Sequence, residues 1–329
     1  MMQALSAPRV WADNRVDIKN QTKGEQTVQK GEITAHLKAL GCHVRENEPL
    51  AAYTSFKIGG AADWLITVNN QDTAAAVLRF CAQEKLPLFV LGNGSNLLVS
   101  DRGVEGVVLR VDCGKEGLTA QGTQVTAHAA VPLSRLCRFA CEHGLSGLEF
   151  AYGIPGTVGG GTYMNAGAYG GQLSDVISGV TVLTPSGDVR ELSADELDFG
   201  YRHSVFMEQS FLIWSVTLDL KQGESTEIHK AMEQHLCCRR EKQPLEYPSG
   251  GSFFKRPTGY FAGALIEQSG LKGASVGGAQ ISEKHAGFLI NRGGATCDEV
   301  LELCRQVQKT VQDCFGVTLE REVQFIGRQ

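Results

Sequence analysis

Several features that would assign a function directly are missing from this chain of 329 residues. It has no run of eighteen apolar residues, so we expect no membrane-spanning helix. The excess of basic residues that marks nucleic-acid-binding proteins is also missing, because the formal net charge is −5. Residues 1–30 lack the apolar core of a secretory signal, so we expect a cytoplasmic protein.

The ten cysteines do not form a metal-binding or redox motif, since no two of them are spaced as C-x-x-C. Cys137 and Cys141, like Cys297 and Cys304, lie at helical spacing within apolar patterns. Such cysteines usually act as small buried hydrophobic side chains. We therefore predict no metal site and no disulfide, as suits a reducing cytoplasm.

Helical and strand patterns follow one another from about residue 32, whereas residues 1–30 are polar and are predicted to be disordered or extended. The spacing predicts helices over 72–86, 132–143, 226–243 and 297–315, with Asp72 capping the first and Gly144 and Gly316 ending the second and fourth. Strands are predicted on both sides of a Gly-Asn-Gly turn within 88–101, in a hairpin around 185–188, and over 210–221, 285–291 and 317–327. The predicted fold class is α+β.

Glycine is concentrated in one segment, residues 153–171, where eight of the nineteen residues are glycine. A flexible linker would be richer in serine and charge, and this segment instead contains apolar and aromatic residues. A second glycine-rich turn, LGNGSN, lies at residues 91–96. Neither segment has the pattern GxxxxGK[ST] or a convincing GxGxxG at a strand–helix junction. Because successive backbone N–H groups in such turns bind phosphate oxygens, the two segments predict a dinucleotide held by a fold other than the Rossmann fold.

Six motifs then occur in the order typical of one enzyme family: TSFKIGGAAD (54–63), LGNGSNLLVSD (91–101), GIPGTVGGGTYMNAGAYG (153–170), YRHS (201–204), GSFFKRP (251–257) and EVQFIG (322–327). In these motifs the chain resembles the UDP-N-acetylenolpyruvoylglucosamine reductases, flavoenzymes of peptidoglycan precursor synthesis, over about residues 32–328. The resemblance implies an FAD-binding fold of two α+β subdomains, of the vanillyl-alcohol-oxidase type, and a C-terminal α+β substrate domain. We place an N-terminal segment at 1–31, the subdomains at 32–112 and 113–223, and the substrate domain at 224–329.

The resemblance also implies roles for individual residues. Arg202 and Glu322 match the residues that stabilise an enolate-like intermediate, and Ser252 matches the proton donor. The residues implied in FAD binding are Gly92, Asn93, Gly94, Ser95, Asn96, Gly153, Ile154, Pro155, Gly156, Thr157, Gly159, Gly160 and Asn165. Those implied in binding the UDP-sugar are Lys255, Arg256, Lys284 and His285.

Spacing alone does not choose between neighbouring candidates. Ser249 is a rival to Ser252, and Glu320 is a rival to Glu322 because alternate residues of a strand share a face. Only the motif matches select Ser252 and Glu322. His203 receives no catalytic role, because a strand neighbour of Arg202 would point the other way.

The chain departs from the family pattern in two places. Gly161 and Thr162 stand where the family usually has Ala and an apolar residue, a change that we expect flavin binding to survive. The stretch between YRHS and GSFFK is too short for the inserted, tyrosine-bearing lid of the family's larger subclass. The chain therefore resembles the shorter subclass, and no lid tyrosine is assigned.

The implied function is reduction of the enolpyruvyl ether of UDP-N-acetylglucosamine-enolpyruvate, with NADPH as hydride donor and FAD as carrier, by a monomer whose partners are small molecules. One alternative is an FAD-dependent sugar or alcohol oxidase on the same scaffold, which would use oxygen. Another is a nucleotide-sugar-binding protein that has lost its flavin. The combination of Arg202, Ser252 and Glu322 favours the reductase.

Overall fold

The computed structural model describes residues 30–114 and 116–329. Residues 1–30 were predicted to be disordered or extended; residues 1–29 lie outside the described residues, and the prediction is wrong for Lys30, which begins the first helix. Among those described, the α-helices are α1 (Lys30–Ala39), α2 (Gln71–Gln83), α3 (Leu133–Glu142), α4 (Val158–Tyr163), α5 (Ser225–Lys242), α6 (Ala262–Gln268) and α7 (Cys297–Phe315). Short 3-10 helices lie at Leu50–Tyr53, Glu149–Ala151, Leu173–Asp175, Ala194–Leu197 and Val205–Met207.

The strands of the first two thirds of the chain are β1 (His43–Pro49), β2 (Ala61–Val68), β3 (Leu88–Val90), β4 (Leu97–Val99), β5 (Val104–Val111), β6 (Leu118–Gln121), β7 (Gln124–His128), β8 (Leu145–Ser146), β9 (Gly167–Ala168), β10 (Gly171–Gln172), β11 (Ile177–Leu183), β12 (Val189–Ser193), β13 (Leu212–Asp219) and β14 (Lys221–Gln222). The remaining strands are β15 (Ser249–Ser252), β16 (Ser275–Val276), β17 (Ala279–Ile281), β18 (Phe288–Asn291) and β19 (Gln324–Ile326). This mixture of helices and sheets confirms the α+β prediction.

The strands form three larger sheets, two with four strands and one with five. Their orders are β1-β2-β5-β3, β12-β11-β13-β7-β6 and β15-β18-β17-β16. Three two-stranded pairs, β9–β10, β8–β14 and β4–β19, complete the topology of the described residues. The pair β4–β19 is parallel.

The chain divides into two compact units. Unit 1 contains the described residues up to Val44, Ile66–Val90 and Leu109–Ile228; unit 2 contains Arg45–Leu65, Leu91–Val108 and His229–Gln329. Each unit gathers segments that are distant in sequence, whereas the predicted domains are contiguous. The domain boundaries at 31, 112 and 223 stay predictions.

Unit 1 is built on the antiparallel sheet β12-β11-β13-β7-β6, in which alternating residues of the neighbouring strands β7 and β13 are buried. The predicted hairpin at 185–188 and the strand over 210–221 are confirmed by β11, β12 and β13. Helix α2 is also confirmed, but the prediction of Asp72 as its cap is wrong. The side chain of Asn70 accepts a hydrogen bond from the N–H of Thr73 at 2.8 Å, so the helix begins one residue earlier.

Unit 2 packs the sheet β15-β18-β17-β16 against α6 and α7, around an apolar core that includes Phe56, Phe253, Ile266, Leu289 and Val300. Helix α7 ends at the predicted Gly316 and begins with a capping box that the sequence analysis had not predicted. Thr296 and Glu299 form a capping box at its start, and Gly316 closes it at φ +68°. The predicted strand over 317–327 is too long, because only Gln324–Ile326 is a strand.

The cysteines at helical spacing, Cys137 with Cys141 and Cys297 with Cys304, are all buried free thiols, which confirms their predicted role as small apolar side chains. Burial raises the pKa of the Cys297 thiol to about 12 and that of Cys304 to about 11. These thiols are therefore protonated at neutral pH. Within residues 30–114 and 116–329, no helix is both long and apolar enough to cross a membrane.

Candidate active site

The turn at residues 92–96 of unit 2 presses its backbone against the chain at Tyr53 and Thr54. Gly94 has φ +60°, and a Cβ placed on it would lie 2.2 Å from the carbonyl oxygen of Tyr53. The N–H of Ser55 donates to the carbonyl oxygen of Gly94 at 3.2 Å. Only glycine fits this position without moving the backbone.

The same turn provides a site that suits a phosphate group. Within the described ranges, the backbone N–H groups of Gly92, Asn93 and Gly94 donate to no acceptor of the chain. Three successive N–H groups beside a left-handed glycine form a concave anion-binding turn. The residues present therefore fit the diphosphate of FAD, the cofactor that the motifs imply.

Asn96 joins this turn to the segment that carries Glu322. Its side-chain amide donates to the carbonyl oxygen of Glu322 at 3.1 Å, and its carbonyl oxygen accepts from the N–H of Gln324 at 2.9 Å. The parallel pair β4–β19 continues directly from this contact. Two motifs that lie 226 residues apart are thus side by side in unit 2.

Phe253 brings two further motifs to the same place. Its carbonyl oxygen accepts from the N–H of Glu322 at 2.8 Å, and its own N–H donates to the carbonyl oxygen of Gly287 at 2.9 Å. Ser252 precedes it at the end of β15 and is exposed. Within the described residues the Ser252 hydroxyl makes no hydrogen bond. Ser252, Glu322 and the turn that contains His285 therefore meet around Phe253, the residue that follows β15.

The rival residues are engaged elsewhere. The hydroxyl of Ser249 accepts from the N–H of Gly251 at 3.4 Å. Glu320 is exposed, and its carboxylate lies 3.6 Å from the ammonium of Lys255, whereas Glu322 is half-buried. The sequence expected both glutamates on one strand face, but neither lies in a strand. The choice of Ser252 and Glu322 stays a prediction from the motif matches, because a hydroxyl that accepts a hydrogen bond keeps its own hydrogen.

His285 is held as a neutral hydrogen-bond donor. Its Nδ1 accepts from the N–H of Gly287 at 3.1 Å, so in the neutral ring Nε2 carries the proton. Burial lowers the pKa of His285 below its ordinary value of 6.5. The ring is therefore uncharged at neutral pH and donates from Nε2.

The three predicted cations of unit 2 have different surroundings. Lys255 faces Glu320, and Arg256 places its guanidinium carbon 4.4 Å from the centre of the Phe261 ring. Lys284 is exposed, and its ammonium donates to the carbonyl oxygen of Arg240 at 2.8 Å. In this structure Lys284 is thus directed at the chain, while Arg256 lies on an exposed aromatic ring.

In unit 1, the glycine-rich segment contains helix α4, which the sequence did not predict. Thr157 caps the helix by accepting from the N–H of Gly160 at 3.2 Å. The N–H groups of Val158 and Gly159 donate to carbonyl oxygens of residues 131 and 129. A Cβ at Gly159 would lie 2.9 Å from the Cβ of Ala129, and a Cβ at Gly161 would lie 2.9 Å from Leu173.

Much of the glycine in 153–171 therefore serves packing inside unit 1, and the expectation that the whole run lies against a cofactor is too broad. The close approach of Leu173 to Gly161 also explains why this chain has Gly where Ala was expected. The hydroxyl of Thr162 is buried and donates to the carbonyl oxygen of Val158 at 2.9 Å, which accounts for its polar group. In the described part of unit 1, the N–H groups of Gly153, Gly156 and Thr157 donate to no acceptor of the chain. Of the candidate residues in this run, these three, in the loop with Ile154 and Pro155, are the ones that fit a cofactor phosphate.

The side chain of Asn165, a predicted cofactor contact, is bonded within unit 1. Its amide donates to Gly200 at 3.0 Å and to the hydroxyl of Ser174 at 3.2 Å, and its oxygen accepts from the N–H of Ser174. These bonds hold the loop that leads to Arg202. Asn165 thus fixes the YRHS segment in place.

Arg202 lies in a tight turn closed by hydrogen bonds between Gly200 and His203. It has φ +54°, and its guanidinium donates to the carbonyl oxygen of Gly167 at 3.0 Å. Its guanidinium carbon also lies 5.1 Å from the centre of the Tyr201 ring. Nε2 of His203 lies 3.2 Å from a carboxylate oxygen of Asp198. The sequence predicted that His203 points away from Arg202 because neighbours in a strand alternate, but the two residues lie in a turn.

No pattern in the sequence indicated a role for Tyr53, Ser55 or Phe261. The hydroxyl of Ser55 donates to the carbonyl oxygens of Gly94 at 3.4 Å and of Ser249 at 2.6 Å, and so connects the turn at 92–96 to β15. The motif TSFKIGG was visible in the sequence, but nothing local indicated which residues it contacts. Such contacts depend on the folded chain.

Replacing Gly94 with alanine is expected to destabilise the protein and weaken FAD binding. A left-handed alanine costs about 1–2 kcal/mol, and the overlap with the Tyr53 carbonyl adds about 1–3 kcal/mol. Gly122 is a matched control, because its φ is +62° and, among described atoms, none lies within 4 Å of a Cβ placed there. Thermal unfolding and FAD titration of both variants test this. Equal losses in the two variants would contradict the close approach.

Comparison with known proteins gives two family matches in this chain. A family model described as "UDP-N-acetylenolpyruvoylglucosamine reductase, C-terminal domain" matches residues 243–326, and one described as "FAD binding domain" matches residues 62–193. The UDP-N-acetylenolpyruvoylglucosamine reductase of Caldanaerobacter subterraneus subsp. tengcongensis is 47% identical over 283 residues, which cover 86% of this chain and 93% of the relative. That of Lactiplantibacillus plantarum is 47% identical over 284 residues, covering 86% and 94%.

A solved structure gives the same result. The crystal structure of UDP-N-acetylenolpyruvylglucosamine reductase from Thermus caldophilus is similar to this chain with a TM-score of 0.74 and 36% sequence identity. The match covers 87% of this chain and 98% of that one. The chain therefore belongs to the UDP-N-acetylenolpyruvoylglucosamine reductase family, as its six motifs predicted.

Proposed function

We propose that this protein reduces UDP-N-acetylglucosamine-enolpyruvate to UDP-N-acetylmuramate, and that Arg202, Ser252 and Glu322 are its catalytic residues. The turn at 92–96 and the loop at 153–157 would hold FAD, which when bound would supply hydride transfer from NADPH to the terminal vinyl carbon of the enolpyruvyl ether. The electron pair of the double bond then moves toward the substrate carboxylate. Reduction is complete when a proton reaches the adjacent carbon.

Ser252 supplies that proton in this proposal. Its hydroxyl is exposed and makes no hydrogen bond within the described residues, so its hydrogen is available to a ligand. A hydroxyl is a weak acid, but an enolate-like carbon is a strong base. The O–H bond of Ser252 breaks as the new C–H bond forms, and a solvent proton then restores the hydroxyl.

In this proposal Arg202 and Glu322 stabilise the enolate-like intermediate. The guanidinium of Arg202 keeps its charge and forms paired hydrogen bonds with carboxylates, which suits negative charge that grows on carboxylate oxygens. The backbone of Glu322 is fixed by the side-chain amide of Asn96 on one side and by the carbonyl oxygen of Phe253 on the other. We assign it to hold the enolate-like centre in position for Ser252.

The observation that carries the assignment is the hydrogen bond from the N–H of Glu322 to the carbonyl oxygen of Phe253, at 2.8 Å. It sets Glu322 beside the residue that follows Ser252. Lys255, Arg256 and His285 lie within a few residues of Ser252 or of its strand partner β18, and we propose that they bind the UDP-sugar. For Lys284 to bind the UDP-sugar as well, its ammonium must give up the hydrogen bond to the carbonyl oxygen of Arg240.

An anaerobic spectral titration tests the function. The purified protein with FAD should lose its flavin absorbance when NADPH is added, and regain it when the enolpyruvyl UDP-sugar is added. Reoxidation by oxygen, with reduction driven by a sugar or alcohol instead of NADPH, would identify an oxidase. A protein that binds no FAD would be left as a nucleotide-sugar-binding protein. Either of these two outcomes overturns the proposal.

We further propose that the enzyme works in the cytoplasm as a monomer, in cell-wall growth and division. Its substrates, a UDP-sugar and NADPH, are small molecules. Light scattering of the purified protein tests the monomer.

A further inference from the structure

An aromatic pair in unit 2 is exposed although its backbone is fixed. The side chain of Phe261 is 63% exposed, the largest value for a large hydrophobic residue in the described part of the chain, and Tyr260 is 48% exposed. The carbonyl oxygen of Phe261 accepts from the N–H of Leu265, and the N–H of Tyr260 donates to Pro257. The loop is therefore held at both ends while its rings face solvent.

Arg256 supports one of these rings. Its guanidinium carbon lies 4.4 Å from the centre of the Phe261 ring, the distance of a cation–π contact. The contact orients the ring and keeps a positive charge beside it. A flat ring with an adjacent guanidinium suits a ligand that has both a flat base and a phosphate.

The position of the pair relates it to the candidate active site within unit 2. Helix α6 begins directly after Phe261, and a Cβ at Gly263 would lie 3.3 Å from Cε1 of His285. The turn of His285 reaches Phe253 through the hydrogen bond between Gly287 and Phe253. Phe253 follows Ser252. A short series of contacts thus leads from the exposed ring to the proposed proton donor.

We propose that Phe261 is the platform on which the uracil base of the UDP-sugar stacks, with Arg256 beside it on the diphosphate. This inference rests on the proposed function and adds to it the subsite that selects the nucleotide. A single pyrimidine ring suits one exposed phenyl ring, and the guanidinium of Arg256 and the Nε2–H of His285 complement phosphate oxygens. Tyr260 borders the subsite.

The test compares Phe261→Leu with Phe315→Leu in the FAD-loaded enzyme. Phe315 is also an exposed phenylalanine of unit 2, 37% exposed at the end of α7, and serves as the matched control. Phe261→Leu is expected to weaken UDP binding about tenfold in calorimetry. The KM for the UDP-sugar should rise by about the same factor while kcat stays within about twofold. Phe315→Leu should change neither quantity, and Phe261→Trp should restore UDP binding.

Three outcomes would overturn the inference. In the first, the Kd for UDP in Phe261→Leu stays within about twofold of the unmutated enzyme. In the second, NADPH binding, measured by the rate of flavin reduction against NADPH concentration, weakens as much as UDP binding, which would assign the ring to nucleotides in general. In the third, the unmutated enzyme binds no UDP. Failure of the proposed function itself is distinguished, because it appears as missing flavin reoxidation by the UDP-sugar in unmutated protein.

Discussion

Ser252→Ala is expected to leave the reduction of flavin by NADPH unchanged and to slow its reoxidation by the enolpyruvyl UDP-sugar by about 10²–10⁴-fold. The first half-reaction needs no proton donor at the sugar carbon, whereas the second does. Stopped-flow absorbance of the flavin measures each half-reaction separately. Because the Ser252 side chain is exposed, its removal should change the free energy of unfolding by less than about 0.5 kcal/mol.

Ser249→Ala is the control for this variant. Ser249 lies three residues away in the same strand, and its hydroxyl accepts a hydrogen bond from the N–H of Gly251. We expect the rates of both half-reactions in Ser249→Ala to stay near those of the unmutated enzyme. A large loss in Ser249→Ala with normal reoxidation in Ser252→Ala would transfer the proton donor to the rival serine.

Arg202→Lys is expected to slow the sugar half-reaction by about 10²–10³-fold, the usual cost of removing one group that stabilises a developing anion. Lysine keeps the positive charge but lacks the two-pronged donor of the guanidinium. It also keeps a side chain at φ +54°, so the backbone strain of the turn is the same in both proteins. Stopped-flow reoxidation of the reduced flavin is again the measurement.

The control must separate catalysis from the hydrogen bond that Arg202 donates to Gly167. Arg190→Lys changes an exposed arginine of the same unit, whose guanidinium lies 3.9 Å from Glu196, and should affect neither half-reaction. Thermal unfolding of Arg202→Lys reports any loss of structure in the turn. A variant that slows both half-reactions equally, with a lowered melting temperature, would indicate a structural role for Arg202.

Sequence patterns predicted the elements whose ends are set by local chemistry. Helix α7 has an apolar repeat, a threonine cap and a terminal glycine, all within one stretch of chain. Helix α4 shares only the threonine cap, at Thr157, and three of its six residues are glycines, which disfavour helices. It forms because Ala129 and Leu173 lie close to those glycines, and these neighbours come from elsewhere in the chain.

The candidate site also contains residues that the sequence indicated and residues that only the folded chain reveals. The motifs select Ser252 and Glu322 over Ser249 and Glu320, a choice that spacing alone could not make. The contacts of the rivals are visible only in the fold: Gly251 donates to Ser249, and Lys255 lies beside Glu320. Phe261 had no signal in the sequence, since an aromatic residue before a helix is usually part of a core. Its exposure is visible only in the folded chain.

The contact between Asn96 and Glu322 also sets a timetable for biosynthesis. A ribosome that has just made Asn96 must add 226 more residues before Glu322 exists. At about 5–20 residues per second this interval lasts roughly 10–45 s. During that time strand β4 has no β19 to pair with, because β19 begins only at Gln324. This parallel pair therefore forms only when translation of the chain is almost complete.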